Sequence, residues 1–127
     1  MGQGGIFKRL DTVIIRVSNI ERARHWYEEK LGFDVIFCDE PEKLAIFDLG
    51  GDTSLTLWQL KPGESLAPTK FSGTFPIFVT DNIGEAHKTL SGLGVKVASI
   101  ENGGGVTWFK LSDIDGNTLE VCQVPNS

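Results

Sequence analysis

Charged and aromatic side chains alternate with apolar ones along several stretches of this 127-residue chain. Alternate residues of a β-strand share one face, so each stretch presents these side chains together. The aromatic rings that could stack on a flat or apolar ligand are Trp58, Phe75 and Trp108. Arg16 and Lys110 could meet an anionic group, and Glu120 could accept a proton where apolar neighbours desolvate its carboxylate.

The elements that must position these residues occur twice along the chain. Residues 17–35 and 80–97 share, in the same order, Asn-Ile, an Ala three residues after the Ile, and Leu-Gly. A repeat of this size indicates two copies of one supersecondary unit. Because apolar, strand-like runs precede and follow each copy, the sequence predicts two βαβββ modules.

In the first module, Ser18 and Glu21 have the spacing of a capping box that begins a helix, and Gly32 ends it. The predicted strands cover residues 12–17, 33–37, 43–49 and 54–59. In the second module, a helix has Ile83, Ala86, Leu90 and Leu93 on its apolar face. Its predicted strands cover residues 75–80, 95–100, 106–111 and 118–123, and the glycines at 103–105 predict a flexible loop.

These elements predict a single domain over residues 1–127, with module one at about 9–60, a linker at 61–74 and module two at about 75–124. The net charge of −5 argues against nucleic acid or an anionic membrane as partner. No apolar run approaches the roughly 20 residues of a membrane-spanning helix. Cys38 and Cys122 have no CxxC spacing, so we expect reduced thiols in a cytoplasmic protein.

Two segments carry a resemblance to a known family. Residues 17–23 (VSNIERA), with Tyr27 and the LGF at 31–33, and the closing DIDGNTLE at 113–120 are similar to the glyoxalase / bleomycin-resistance / extradiol-dioxygenase superfamily, also called the vicinal oxygen chelate superfamily. The similarity covers about residues 9–124. It implies an α+β fold in which two tandem βαβββ modules form a curved mixed-sheet cup, with the helices on the outer face, and usually a homodimer.

The resemblance also implies where a divalent metal would bind. In metal-dependent members, up to four ligands come from the start of the first strand and the middle of the last strand of each module. The matching positions here are Thr12, Thr56, Phe75 and Glu120. Such a site needs about three anionic or imidazole donors, so we expect no metal and no cofactor. A divalent metal would be possible only if this alignment of ligand positions is wrong.

The alternation predicts which side chains face the cup and which face the helices. The predicted ligand-binding set is Thr12, Arg16, Asp48, Thr56, Trp58, Phe75, Trp108, Lys110 and Glu120. The predicted helix-facing set is Val13, Ile15, Val17, Leu55, Leu57, Phe109, Leu111, Leu119 and Val121. In the repeat, Ile46 and Asp48 are taken as the partners of Trp108 and Lys110. Glu120 is either a catalytic base or a structural partner of Lys110 or Arg16.

Three functions stay open at this point. The leading hypothesis is a metal-independent protein that sequesters a partly aromatic or hydrophobic small molecule in the cup. The alternative is a glyoxalase-like lyase or isomerase, or a dioxygenase relative, that uses Glu120 as metal ligand or base. A dimeric interaction module with a collapsed cup, in which Trp58 and Trp108 fill space, is the third. The sequence leaves open the ligand's identity, and whether the modules pair within a chain or swap between subunits.

Overall fold

The computed structural model of the chain describes residues 5–66 and 73–125. It forms two compact units, of which the first ends at Leu66; residues Glu29–Leu31 group with the second. Each module contains one helix and one four-stranded mixed sheet, which confirms the predicted α+β class and the two βαβββ modules. Part of the predicted linker, residues 67–72, lies outside the described residues.

The first module has its strands and helix in the predicted order. These elements are β1 (Thr12–Val17), α1 (Ile20–Leu31), β2 (Asp34–Asp39), β3 (Leu44–Asp48) and β4 (Ser54–Gln59). The sheet order is β1-β4-β3-β2, with β1 parallel to β4 and the other pairs antiparallel. The helix therefore carries the chain from one edge of the sheet to the other, and the next three strands return as a meander.

The second module repeats this topology. Its elements are β5 (Ile77–Val79), α2 (Ile83–Gly92), β6 (Glu101–Gly103), β7 (Val106–Ser112) and β8 (Thr118–Gln123). The sheet order is β5-β8-β7-β6, with β5 parallel to β8. The sequence repeat is therefore a repeat of structure.

The strand predicted at residues 95–100 is wrong. Only Val97 bridges there, opposite Leu111, and the regular strand β6 begins later, where Glu101 lies opposite Trp108. Val97 and Glu101 are four residues apart, whereas their partners Leu111 and Trp108 in β7 are only three apart. The segment that leads into β6 therefore contains one extra residue, as in a β-bulge. The glycines after β6 also differ from the prediction of a flexible loop. Gly104 and Gly105 have φ values of 60° and 83° and form a two-residue hairpin turn between β6 and β7.

Both helices begin with an asparagine cap. The Asn19 side chain accepts a hydrogen bond from the backbone N–H of Arg22 at 2.9 Å, so the predicted capping box at Ser18 is wrong. Asn82 does the same for the backbone N–H of Glu85 at 3.0 Å. An asparagine cap satisfies one of the N–H groups that a helix start leaves without an intrahelical partner.

A glutamine at the end of the last strand completes each helix start. Gln59 Oε1 accepts from the backbone N–H of Ile20 at 2.9 Å. Gln123 Oε1 accepts from the backbone N–H of Ile83 at 2.7 Å. The same long-range bond therefore ties helix to sheet in both modules. The sequence signal is the glutamine that follows Leu55 and Leu119 by four residues.

The helix-facing side of each sheet forms the core. All predicted members except the half-buried Val13 are buried. In module one, Tyr27 of α1 is fully buried and stacks on Phe47 with ring centroids 6.0 Å apart. In module two, His87 of α2 meets Phe109 edge-on at 4.9 Å, and Leu90 is buried; Leu93, predicted on the same face, is 42% exposed. Burying each large apolar side chain contributes roughly 1.5–3 kcal/mol.

Candidate functional site

The face of each sheet that lies away from its helix, called the cup face below, carries the predicted site residues. In module one, Ile14 of β1 and Ile46 of β3 both lie opposite Thr56 of β4. In module two, Ile77 of β5 and Lys110 of β7 both lie opposite Glu120 of β8. The alternation therefore placed these side chains on the correct faces, and their role in ligand binding stays a prediction.

The strand register corrects one pairing within the repeat. Because Thr56 and Glu120 occupy equivalent places, Ile46 is the equivalent of Lys110 and not of Trp108. Asp48 then corresponds to Ser112. The Asp48 side chain is exposed at the end of β3, where its carboxylate accepts from the backbone N–H of Gly50 at 2.9 Å.

The two threonines at the predicted metal-ligand positions of module one bond to each other. The hydroxyls of Thr12 and Thr56 lie 2.8 Å apart, and the Thr12 hydroxyl donates to the backbone oxygen of Ser54 at 3.1 Å. Thr56 is buried. These polar groups therefore satisfy one another within the sheet.

Arg16, predicted to meet an anionic ligand, is held by groups of its own module. Its guanidinium donates to the backbone oxygens of Trp58 and Gln59, at 3.2 Å and 3.1 Å, and to the Glu64 carboxylate at 2.6 Å. Hydrogen bonds from the backbone N–H of Lys61 and from Arg16 hold the pKa of Glu64 below its usual value. Glu64 therefore supplies, from the chain itself, the negative charge that Arg16 was expected to find in a ligand.

Trp58 is fixed from several sides. The Arg16 guanidinium lies 4.5 Å from the centroid of its ring, and the Lys61 ammonium lies 5.1 Å away. The indole N–H donates to the backbone oxygen of Glu42 at 3.1 Å. Cation–π contacts at these distances are favourable, so the ring has a defined position at the end of the first sheet.

The charged side chains on the cup face of module two make fewer polar contacts than Arg16 does in module one. The Lys110 ammonium lies 5.3 Å from the ring centroid of Phe75. Although Lys110 and Glu120 are direct cross-strand neighbours, they form no ion pair, which was one of the two roles considered for Glu120. Within the part of the chain that the structure describes, the half-buried Glu120 carboxylate accepts no hydrogen bond and makes no ion pair.

Trp108 lies on the same cup face, half-buried, opposite Cys122 on one side and Glu101 on the other. Its ring lies against Gly103 at the end of β6, where an added Cβ would be 3.4 Å from the ring. Phe75 lies outside β5, which is shorter than predicted. The structure therefore brings Phe75, Trp108, Lys110 and Glu120 to one face of module two.

A depression of about 300 Å³ opens on this face. We call it the lysine pocket; it is lined by Phe75, Lys96, Val97, Ala98, Lys110, Leu111, Ser112 and Thr118. Phe75 and Lys110 were predicted as site residues, whereas Lys96 and Ser112 were missed. Alternation through residues 95–100 would have placed Lys96 on the face of Lys110.

The donors at the four predicted metal positions do not fit a divalent ion. In module one, the Thr12 and Thr56 hydroxyls are neutral and bonded to each other. In module two, Phe75 has no donor atom, and Glu120 supplies the one carboxylate. Across residues 5–66 and 73–125, no three His, Cys, Asp or Glu side chains are grouped to hold a metal. Such a donor set is too small and too weak for a metal centre.

The family model described as the glyoxalase / bleomycin resistance protein / dioxygenase superfamily matches residues 9–121. The chain belongs to this superfamily. A comparison with curated proteins gives no match. Among the described residues, no helix is long and apolar enough to cross a membrane.

Several solved structures have the same fold as this chain. TnmS3, an antibiotic binding protein from Streptomyces sp. CB03234, is 25% identical over 95% of this chain and 99% of its own, with a TM-score of 0.79. A superfamily member from Sphaerobacter thermophilus is also 25% identical, over 93% and 98% of the two chains, with a TM-score of 0.77. An integron cassette protein from the mobile metagenome of Halifax Harbour sewage outfall is 22% identical over 93% and 100%, with a TM-score of 0.77.

Proposed function

We propose that this chain is a metal-independent small-molecule-binding protein of the bleomycin-resistance type. It would sequester a partly aromatic or hydrophobic ligand on the cup faces. The observation that carries the proposal is the exposure of large apolar side chains there: Ile14 is 50% exposed, Ile77 54% and Val79 69%. Exposed apolar surface of this kind is typical of binding sites.

The rest of the cup faces suits such a ligand. Trp58, Phe75 and Trp108 add half-buried rings, and a few polar groups lie among them. Small-molecule sites combine apolar area with a small number of polar groups that fix orientation. The antibiotic-binding function in the name of TnmS3 supports a binding role for a chain of the same fold.

Metal independence rests on the donor set described above and is tested by calorimetry. Metal-stripped protein is titrated with Mn²⁺, Fe²⁺, Ni²⁺ and Zn²⁺, with Glu120→Ala as the comparison. We expect no binding in the micromolar range for either protein. Tight binding of one ion per chain, abolished by the substitution, would overturn the proposal and favour an enzyme.

Ligand binding is tested by a screen of aromatic compounds read through tryptophan fluorescence in the presence of a chelator. Single Trp58→Phe and Trp108→Phe variants should each lose part of the ligand-induced change. Trp26→Phe is the matched control, because Trp26 lies on α1 in edge contact with Tyr27, away from the cup face. A screen without hits, or a signal that depends on Trp26 alone, would count against the proposal.

A glyoxalase-like lyase, isomerase or dioxygenase relative is the second candidate. It is favoured by one observation, the Glu120 carboxylate that has no partner within the described residues. A positioned carboxylate base contributes about 10²–10⁴-fold to a rate. Turnover of a hemithioacetal that falls by this factor in Glu120→Gln, with the fold intact, would establish the enzyme; equal rates in both proteins would exclude Glu120 as the base.

We further propose a cytoplasmic homodimer. The exposed apolar residues of the cup faces could also meet a second copy of the chain, and Cys38 and Cys122 are both free thiols. Light scattering coupled to size-exclusion chromatography would give the mass in solution. A mass near twice 13.9 kDa supports the dimer, and a mass near 13.9 kDa contradicts it.

A further inference from the structure

We infer that the lysine pocket of module two binds a small organic anion whose carboxylate is attached to a flat apolar body, such as an aryl carboxylate. This inference rests on the proposed function and specifies the class of ligand. The pocket, at about 300 Å³, is at the lower end of the volumes of small-molecule sites. An occupant of few rings is therefore expected.

Charge is the first argument. The lining contains two ammonium groups, from Lys96 and Lys110, and no carboxylate. Within residues 5–66 and 73–125, neither lysine forms an ion pair or donates a hydrogen bond. The chain as a whole carries a net charge of −5, so this is a local reversal of sign. Two neighbouring cations without a counter-ion favour an anionic occupant.

The position of Lys110 supports the same conclusion. Its ammonium lies over the ring of Phe75, at 5.3 Å from the centroid, and forms no ion pair with the neighbouring Glu120. The cation–π contact holds the charge beside the pocket. An ion pair with Glu120 would have cancelled that charge, so its absence leaves the ammonium available to a ligand.

The remaining lining divides into apolar wall and polar edge. The apolar wall consists mainly of Phe75, Val97 and Ala98, because Leu111, which also lines the pocket, is almost fully buried in the core. Ser112 and Thr118 are direct cross-strand neighbours, and their hydroxyls are further donors for carboxylate oxygens. The wall fits an aromatic or aliphatic body, whereas the lysines and hydroxyls fit its acid group. An inorganic anion could contact the lysines and hydroxyls, but it would leave the apolar wall without a contact.

The test is a calorimetric titration of the full chain, in chelator, with benzoate and naphthoate. Their neutral amides, benzamide and naphthamide, have nearly the same shape without the charge, and inorganic phosphate has charge without an apolar body. We expect naphthoate to bind more tightly than benzoate, and naphthamide and phosphate each to bind at least about tenfold more weakly than naphthoate. Higher salt should weaken naphthoate binding.

Charge-removing variants locate the site. Lys110→Gln and Lys96→Gln should each weaken naphthoate binding by about five- to tenfold and leave naphthamide binding unchanged. Lys88→Gln is the matched control, because Lys88 is an exposed lysine on α2, outside the pocket. All three substitutions replace side chains that reach solvent, so circular dichroism and thermal unfolding should match those of the unmodified protein.

Several results would overturn the inference. They are naphthamide binding as tightly as naphthoate, phosphate competing with equal affinity, and unchanged naphthoate affinity in both pocket variants. If naphthoate does not bind while other compounds from the fluorescence screen do, the inference fails and the proposed function stands. If binding of any compound requires an added metal ion, the proposed metal-independent function fails instead.

Discussion

The two modules share one fold but differ in how their cup faces satisfy their polar groups. In module one, Thr12 bonds to Thr56, and Arg16 bonds to Glu64. In module two, Glu120 and Lys110 face each other across two strands without forming an ion pair. The polar groups of module one thus bond to groups of the chain itself, whereas Lys110 and Glu120 of module two form no hydrogen bond or ion pair among the described residues.

The sides of the modules that pack against the helices differ far less. Each has a fully buried phenylalanine in its third strand, Phe47 or Phe109, in ring contact with the helix above it. Each helix start is tied to the last strand by a glutamine, Gln59 or Gln123. Packing and capping therefore constrain one face of the repeat, and the other face is free to diverge in chemistry.

The largest effect is expected in the helix-to-sheet packing. Tyr27→Ala should lower the free energy of unfolding by about 3–5 kcal/mol, because it leaves a cavity beside Phe47. Its equivalent, Leu90→Ala, should cost roughly 2–3 kcal/mol, since a smaller side chain is lost. Urea unfolding followed by circular dichroism measures both. A larger loss for Leu90→Ala than for Tyr27→Ala would contradict the expectation that the larger side chain leaves the more costly cavity.

The loop between β7 and β8 should be the next most sensitive site. The buried carboxylate of Asp113 accepts from the backbone N–H groups of Asp115 and Asn117, at 2.9 Å and 2.8 Å, and from the Asn117 amide at 2.9 Å. Asp113→Ala should cost about 2–4 kcal/mol in unfolding free energy, because buried donors lose their acceptor. The corresponding loop of module one has Leu49 at this position, so Leu49→Ala is the matched comparison and should cost less.

The glutamine bonds should matter equally in the two modules. Gln59→Ala and Gln123→Ala each leave one backbone N–H of a helix start without its partner, at Ile20 and Ile83. Each should lower the unfolding free energy by about 1 kcal/mol. Chemical denaturation gives the values, and hydrogen exchange of the two amides should quicken in the matching variant alone. A loss of stability in only one of the two variants would show that the two glutamine bonds do not contribute equally.

The smallest effect is expected at the surface ion pair of module one. The lowered pKa of Glu64 means that its contribution to stability is present above the pKa of the unfolded state. That contribution is lost as the pH falls through the lower, folded value. Glu64→Gln should therefore lower the urea midpoint slightly near neutral pH and leave it unchanged in strong acid.

The control for this prediction is Glu40→Gln, an exposed carboxylate that forms no ion pair among the described residues. It should shift the midpoint less than Glu64→Gln at neutral pH. A Glu64→Gln shift that persists unchanged in acid would mean that the effect is not electrostatic. Module two should show no equivalent sensitivity on its cup face, because Lys110 forms no ion pair with any residue that the structure describes.

Most of the fold could be predicted because the sequence repeat and the alternation of apolar residues can be recognised within short segments of the chain. β1, β4 and β8 have the predicted bounds, since apolar residues recur at every second position in each and face the core. The strand at 95–100 was wrong because an extra residue displaces the ladder, and alternation alone does not reveal a bulge.

The sequence predicted on which face of the sheet the site residues lie, but not which side chains they contact. Strand period determines that Arg16 and Trp58 lie on one face, but not that Glu64 and Lys61 would approach them from a loop. Lys96 was missed although alternation through residues 95–100 would have placed it on the face of Lys110. Long-range contacts of flexible side chains depend on the loops, where sequence periodicity carries no information.

We infer that module two carries most of the groups that bind the ligand and that it needs no metal to do so. An NMR titration of isotope-labelled, chelator-treated protein with naphthoate tests this most directly. We predict that the amide shifts are largest at residues 96–98, in β7 and at the start of β8, with smaller shifts in β1 to β4. Shifts confined to the first module, or shifts that appear only after a divalent ion is added, would contradict it.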